Sequence, residues 1–197
     1  MPGPAKQFDP DAALMDAINV FSTHGYNGTS LSLLTEAMGI GKKSLYDTFG
    51  DKRSLFFKAI RAYTRKSISD MTAVLFDPNS DSLVQNLQTL FSIWIQSHSE
   101  PQSKGCLLGT CMADFDDADI EAAETLREGL TLVEDLLTDA MEQASANGEL
   151  KLSAAPRDVA RTLLCISQGV ALVGRISTSE EVIRSALEVT QKQILRT

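Results

Sequence analysis

The 197-residue chain contains no Cys-x-x-Cys pair, and its three cysteines are an odd number, so no disulfide framework is expected and a reducing compartment fits. It has no nucleophile elbow, no P-loop and no HExxH zinc signature, which leaves the common hydrolytic and phosphate-handling chemistries without a residue set. Aromatic residues are only 6% of the chain, and no alternating Val/Ile/Thr runs lie between Asn-Gly turns, so no strand is predicted. The longest apolar uncharged run, 162–174, falls short of the roughly 20 residues that span a bilayer. The opening MPGPAKQFDPD lacks the apolar core of a secretory signal, and no repeat of the usual solenoid length is visible. These absences predict a soluble, cytoplasmic, all-α protein with no metal, no cofactor and no membrane partner.

What is present agrees with that class. Hydrophobic residues make up 43% of the chain, enough to bury a core, and long segments repeat apolar residues at helical spacing. The net charge of −8 is unevenly divided. Residues 1–66 carry nine Lys+Arg against six Asp+Glu, net +3, whereas 67–197 carry nine against twenty, net −11. A basic first third followed by an acidic remainder suits one module that meets phosphate and another that does something else.

The basic third holds the most informative stretch, TSLSLLTEAMGIGKKSLYDTFGDK, from Thr29 to Lys52. Ser30, with Thr29 behind it, can cap a short helix whose Leu31, Leu34, Ala37 and Met38 share one face. Gly39 can end that helix in the left-handed conformation, Ile40 can plug the angle, and Gly41 lets a second helix begin nearby. That second helix, 42–49, turns Leu45, Thr48 and Phe49 inward and leaves Lys42, Lys43, Ser44, Tyr46 and Asp47 on or near its outer side. The pattern is a helix-turn-helix. Its outer groups suit the major groove, where lysines and a helix N-terminus meet phosphates while hydroxyls and a tyrosine ring reach base edges and thymine methyls. Lys52, opening the next helix, would hold the DNA backbone. Such patterns also occur in protein-binding bundles, with the lysines as a solvated face.

Around this stretch, Asp9 and Pro10 start a helix that ends at His24 before Gly25, and Lys6 in the preceding tail is expected to add a DNA contact. After Gly50 a helix over 52–76 is too long for a three-helix head alone and should connect two domains. The next helix, 82–99, has no charged residue in its polar face, which suits either a half-dry cavity or a neighbouring helix. A short helix over 105–115 precedes the acidic cluster Asp114, Asp116, Asp117 and Asp119, read as capping a helix that runs to Asn147. Helices over 156–174 and 179–195 close the chain, the first apolar on more than one face and the second introduced by capping boxes at Ser177 and Thr178. Candidate pocket residues are Gln88, Trp94, Cys106, Cys111, Met112 and Phe115. A thiol catalyst using Cys106 and His98 is disfavoured, and sensing of redox state or metal by Cys106 and Cys111 stands as the alternative to an organic-effector pocket.

The run Ala37-Met38-Gly39-Ile40-Gly41-Lys42-Lys43-Ser44-Leu45-Tyr46-Asp47-Thr48-Phe49-Gly50-Asp51-Lys52 resembles the head of the TetR family of bacterial transcriptional regulators. It departs at Gly41, where serine is usual, and at Asp47 and Thr48, where histidine or tyrosine is common. Asp47 favours cytosine amino groups and repels nearby phosphate. Gly105-Cys106-Leu107-Leu108 and Gly148-Glu149-Leu150 resemble one branch of the family's C-terminal domains. The resemblance implies a DNA-binding head at 1–52 and an effector-binding and dimerisation domain at 53–197. It implies a homodimer joined through the last two helices, with Leu163, Ile166, Val170, Val173, Ile183 and Leu187 as candidate interface residues. A palindromic double-stranded DNA operator and an unidentified small-molecule effector that releases it follow as expected partners.

Overall fold

The computed structural model describes residues 8–100, 103–176 and 180–194, which form nine α-helices and no strand. They are α1 (Pro10–His24), α2 (Leu31–Ala37), α3 (Lys42–Phe49), α4 (Lys52–Leu75), α5 (Leu83–Ser99), α6 (Leu107–Met112), α7 (Ile120–Ala146), α8 (Pro156–Gly174) and α9 (Glu180–Ile194). Lys6, Ser177 and Thr178, given roles above, lie outside the described residues. Among the described residues no helix is long and apolar enough to cross a membrane.

Local chemistry sets the boundaries of the first three helices. The Asp9 carboxylate accepts from the Asp11 N–H at 2.9 Å and Pro10 fills a position that needs no donor, so α1 begins there. The Ser30 hydroxyl accepts from the Leu33 N–H at 3.1 Å and starts α2. Gly39, at φ 62°, takes the left-handed conformation that costs other residues steric strain, and so turns the chain towards α3. Leu34, Met38, Leu45 and Phe49 are buried between the two short helices and their neighbours, while Ala37 is exposed, outside the stripe predicted for it.

The first core joins Ala13, Ala17, Ile18 and Phe21 of α1 to Leu55, Phe56, Ala59 and Ile60 of α4, then continues into Leu107, Leu108 and Cys111 of α6 and Leu126 of α7. Rings hold its centre: Phe56 lies 5.3 Å edge-on from Phe21, 4.9 Å from Tyr26 and 5.3 Å from Phe115 between centroids. Such pairs add to what area burial alone supplies. Because α4 is 24 residues long, about 36 Å at 1.5 Å per residue, its far end enters a second core. There Leu75 packs with Leu87, Leu90, Phe91, Leu137, Met141, Leu163 and Leu187 from α5, α7, α8 and α9. The expected division between residues 52 and 53 thus falls inside α4, a helix shared by both cores.

Two polar contacts fix α5 against this frame. The Asn86 side-chain amide donates to the Leu75 carbonyl at 2.9 Å, satisfying the end of α4. The Glu149 carboxylate accepts from the Ser82 hydroxyl at 2.8 Å and the Val84 N–H at 3.3 Å, capping α5 from 65 residues away.

Candidate nucleic-acid interface and inner cavity

Of the four helices nearest the N-terminus, α3 differs at its start. α1, α2 and α4 each have a side-chain cap, from Asp9, Ser30 and Asp51, whereas Gly41 offers none to α3. The first N–H groups of α3 therefore have no side-chain acceptor and sit at the positive end of the helix dipole. Lys42 and Lys43 are exposed there and make no ion pair or hydrogen bond among the described residues. Tyr46 is 48% exposed, Asp47 is exposed beside it, and Ser44 is half-buried. The opposite end of α3 is closed by the Lys58 ammonium, which donates to the Phe49 carbonyl at 3.0 Å.

The other two residues expected at the DNA face behave differently. Thr29 is buried, and its hydroxyl donates to the Gly25 carbonyl at 2.6 Å, so it braces the turn before α2 and is turned away from any phosphate. Lys52 is half-buried, with its ammonium 4.2 Å from the centre of the Tyr26 ring, and burial lowers its pKa from the ordinary value. Ser30 remains exposed while it caps α2.

A set of polar contacts, none visible in the sequence, ties this head to the rest. Arg53 grips Asp119 with two bonds of 2.6 and 2.7 Å and reaches Glu121 at 3.2 Å. Asp119 also accepts from the Ala122 N–H at 3.2 Å, so the acidic cluster does cap α7, and one member serves both purposes. The Asp114 carboxylate accepts from the Tyr26 N–H at 2.6 Å. Arg175, just past α8, donates to the Thr110 hydroxyl at 3.0 Å and the Thr23 carbonyl at 2.6 Å, linking the end of α1 to α6 and α8.

Above that junction, α4, α5, α7, α8 and the 103–108 segment line a cavity of about 350 Å³. Of the candidate pocket residues, Trp94 and Cys106 line it. Gln88 does not, because it lies on the exposed side of α5, whose uncharged polar face is divided: Ser97 and His98 meet the cavity, Asn86 is buried against α4, and Gln85 and Thr89 face solvent. Cys111, Met112 and Phe115 belong to the first core, since α6 turns them towards α1 and Tyr26. Burial pushes the Cys111 thiol up to about 12. Among the described residues no three His, Cys, Asp or Glu side chains converge as a metal site. Tyr63, Thr64, Ser67 and Gln168 also line the cavity and were not among the candidate pocket residues, Tyr63 and Ser67 being expected only on the inward stripe of α4.

The expected dimer residues divide by face. Leu163, Val170, Ile183 and Leu187 are buried in the chain's own second core and are unavailable to a partner, and Ile166 packs partly against the same core. Val173 is exposed, and with it Cys165, Leu172 and Ile176 on one side of α8 and just past it, and Val182 and Val189 on α9. Five large apolar residues are thus exposed on α8, just past it and on α9, a number that suits an interaction surface if they adjoin.

Residues 14–59 match the family model described as bacterial regulatory proteins, tetR family, and residues 84–190 match that of the tetracyclin repressor-like C-terminal domain. The chain belongs to the TetR family of transcriptional regulators. This TetR-family chain is 31% identical to the HTH-type transcriptional regulator YezE of Bacillus subtilis (strain 168), over 75% of this chain and 76% of that protein. It is 30% identical to the HTH-type transcriptional repressor ComR of Escherichia coli (strain K12), over 91% of this chain and 85% of ComR. Among solved structures, the TetR-family regulator CifR, as a cysteine mutant bound to a 26-base-pair operator, superposes with a TM-score of 0.85 at 24% identity over 98% of this chain and all of that one. Reduced NemR of E. coli gives 0.83 at 22% identity over 93% and 95%. At those identities the two structures speak for the fold.

Proposed function

We propose that the chain is a repressor that binds a palindromic operator as a homodimer and lets go when a small molecule fills the inner cavity. The observation that carries this reading is the start of α3, where uncapped N–H groups, Lys42 and Lys43 lie beside an exposed Tyr46. Helix N-termini and lysines bind phosphate, and an exposed tyrosine and Asp47 supply groups that discriminate bases. Operator binding by CifR and the repressor name of ComR support the same role. We assign Ser30, Lys42, Lys43, Ser44, Tyr46 and Asp47 to the DNA face of a cytoplasmic protein, with Lys52 bracing it through Tyr26.

The exposed apolar patch of α8 and α9 serves as the dimer contact, with Leu172, Val173, Ile176, Val182 and Val189 in place of the inward residues. Release requires a ligand with unequal affinity for the two spacings of the heads, because equal affinity shifts nothing. Two elements make such a difference available: α4 runs from the head along the cavity, and Arg175 connects the α8 end to α1. Sensing by Cys111 gains no support, since a buried thiol with a pKa near 12 is not a thiolate.

A gel-shift titration on DNA upstream of the chain's own gene tests the reading. Lys43→Ala should weaken binding to all sequences and reduce the slope of log affinity against log salt by about 0.9, the value for one phosphate contact. An unchanged affinity and slope for Lys43→Ala and Tyr46→Ala together would contradict it.

A further inference from the structure

The two ends of the inner cavity differ in chemistry. The Asn86 contact with the Leu75 carbonyl sets the start of α5 beside the end of α4, so α5 runs back along α4 and brings His98 level with Tyr63. The end of α8 closes on the same place, since a Cβ on Gly174 would stand 2.4 Å from the His98 carbonyl oxygen. Tyr63, Ser67, Ser97, His98, Ser103 and Lys104 therefore gather at one end of the cavity. Met71, Val74, Leu90, Trp94 and Val133 line the other.

The charge at the polar end is positive. Lys104 is exposed there, and its ammonium donates to a neutral acceptor, the Asn19 side-chain oxygen, at 3.0 Å. An ammonium has three donors, so two remain for a guest. Behind Gly105, Arg175 adds a second charge. Its stem lies 2.9 Å from where a Gly105 Cβ would stand, and its guanidinium donates to the Thr110 hydroxyl and the Thr23 carbonyl, both neutral. Arg127, Arg157, Arg161 and Arg184 each pair with a carboxylate, whereas among the described residues Lys104 and Arg175 have none within reach. Asp70 is the one carboxylate that lines the cavity; its side chain is 63% exposed and already paired with Lys66 at 2.9 Å. Burial favours the neutral forms of Tyr63 and His98, so neither offsets Lys104.

We propose that the cavity takes a small amphipathic carboxylate, its apolar body between Met71, Leu90, Trp94 and Val133 and its anionic group on Lys104 at the mouth. The proposal rests on the ligand-responsive reading above and adds the chemistry of the ligand. Lys104 meets the guest by turning its flexible four-carbon stem, and an ammonium on a carboxylate makes a charge-assisted hydrogen bond. The carboxylate neutralises a charge that the protein leaves unpaired, and through Lys104 it is linked to Asn19 of α1, in the head. A neutral guest of the same shape fills the apolar end and leaves Lys104 as it is. A cationic guest meets like charge.

Trp94 is the single tryptophan of the chain and lines the cavity, so its fluorescence reports occupancy with no DNA present. The full-length protein is titrated with 4-tert-butylbenzoate, 4-tert-butylbenzamide and 4-tert-butylbenzamidine, probes of one shape that are anionic, neutral and cationic in turn. At low ionic strength the benzoate should bind about fivefold more tightly than the amide, the worth of a good exposed ion pair, and the amidine more weakly than either. Added salt should shrink the difference. Lys104→Gln, at an exposed position outside both cores, should bring the benzoate to the amide's affinity while amide binding stays the same, which shows that the variant is folded. Lys104→Arg should keep the preference. Equal binding of benzoate and amide by the wild type, tighter binding of the amidine than of the benzoate, no Trp94 response to any probe, or a Lys104→Gln variant that keeps the preference would each overturn the proposal. Because no DNA enters the titration, a protein that prefers the benzoate but ignores every operator fragment contradicts the repressor reading alone, and the converse result contradicts only the ligand assignment.

Discussion

Arg53 shows how much a single side chain can carry in this molecule. It stands one residue into α4, holds Asp119 through two hydrogen bonds and Glu121 through two more, and so fastens the head to the start of α7. The hydrogen bonds from Arg53, aided by the Ala122 N–H, hold the Asp119 carboxyl below its ordinary 3.8. A carboxyl whose pKa is depressed by folding contributes stability that is fully present above its unfolded pKa and is lost as pH falls through the folded one. Asp119→Asn should therefore lower the urea midpoint by a constant amount at pH well above 3.8, and its deficit should shrink as the pH drops below that value. A deficit of the same size at every pH would mean that the pair's charge is not what stabilises it. Nothing local announces this contact, because Arg53 and Asp119 lie 66 residues apart, and Arg175 and Thr23 lie 152 apart. The sequence offers Asp119 only as a helix cap, which it also is.

At the scale of the helix, α3 combines a weak start with an exposed cationic face. Gly41 has φ −73° and no neighbour within 4 Å of a built Cβ, so a side chain fits there without strain. Gly41→Asp would supply the missing cap, a gain of a few tenths of a kcal/mol because glycine is already tolerable at that position. It would also place a carboxylate where phosphate is expected. Thermal stability should hold or rise slightly while operator affinity falls, and melting curves read beside gel shifts check both. A variant that binds the operator as well as wild type would show that the α3 N-terminus does not face DNA. The helix-turn-helix was legible because caps, the positive-φ Gly39 and the 3.6-residue spacing of Leu34, Met38, Leu45 and Phe49 are local properties. α8 was only half legible. Apolar side chains surround it, so periodicity could not tell that Leu163 and Val170 face its own core while Leu172 and Val173 face outward. The uncharged face of α5 left a cavity and a neighbouring helix equally open, because both suit neutral polar groups, and both occur: Trp94, Ser97 and His98 reach the cavity, while Asn86 is buried against α4.

At the scale of the whole molecule, the two cores share α4, and the net charge divides between them: a basic head and an acidic remainder. One head cannot read a palindrome alone, so the proposed operator binding needs two copies joined through α8 and α9. Leu172→Glu, on the exposed side of α8, puts a charge into that proposed contact and leaves the chain's own core untouched. The variant should elute and scatter as a monomer at concentrations where wild type is a dimer, with an unchanged helical signal. A wild-type monomer, or a variant that stays dimeric, would move the interface elsewhere. The most direct test of the central claim is a footprint of the wild-type protein on the genomic fragment it retains best at low ionic strength. Two inverted half-sites are expected, with centres about 10 base pairs apart or a multiple of that, and both protections should be lost in Tyr46→Ala. A single unsymmetrical patch, or no fragment retained at all, would contradict it.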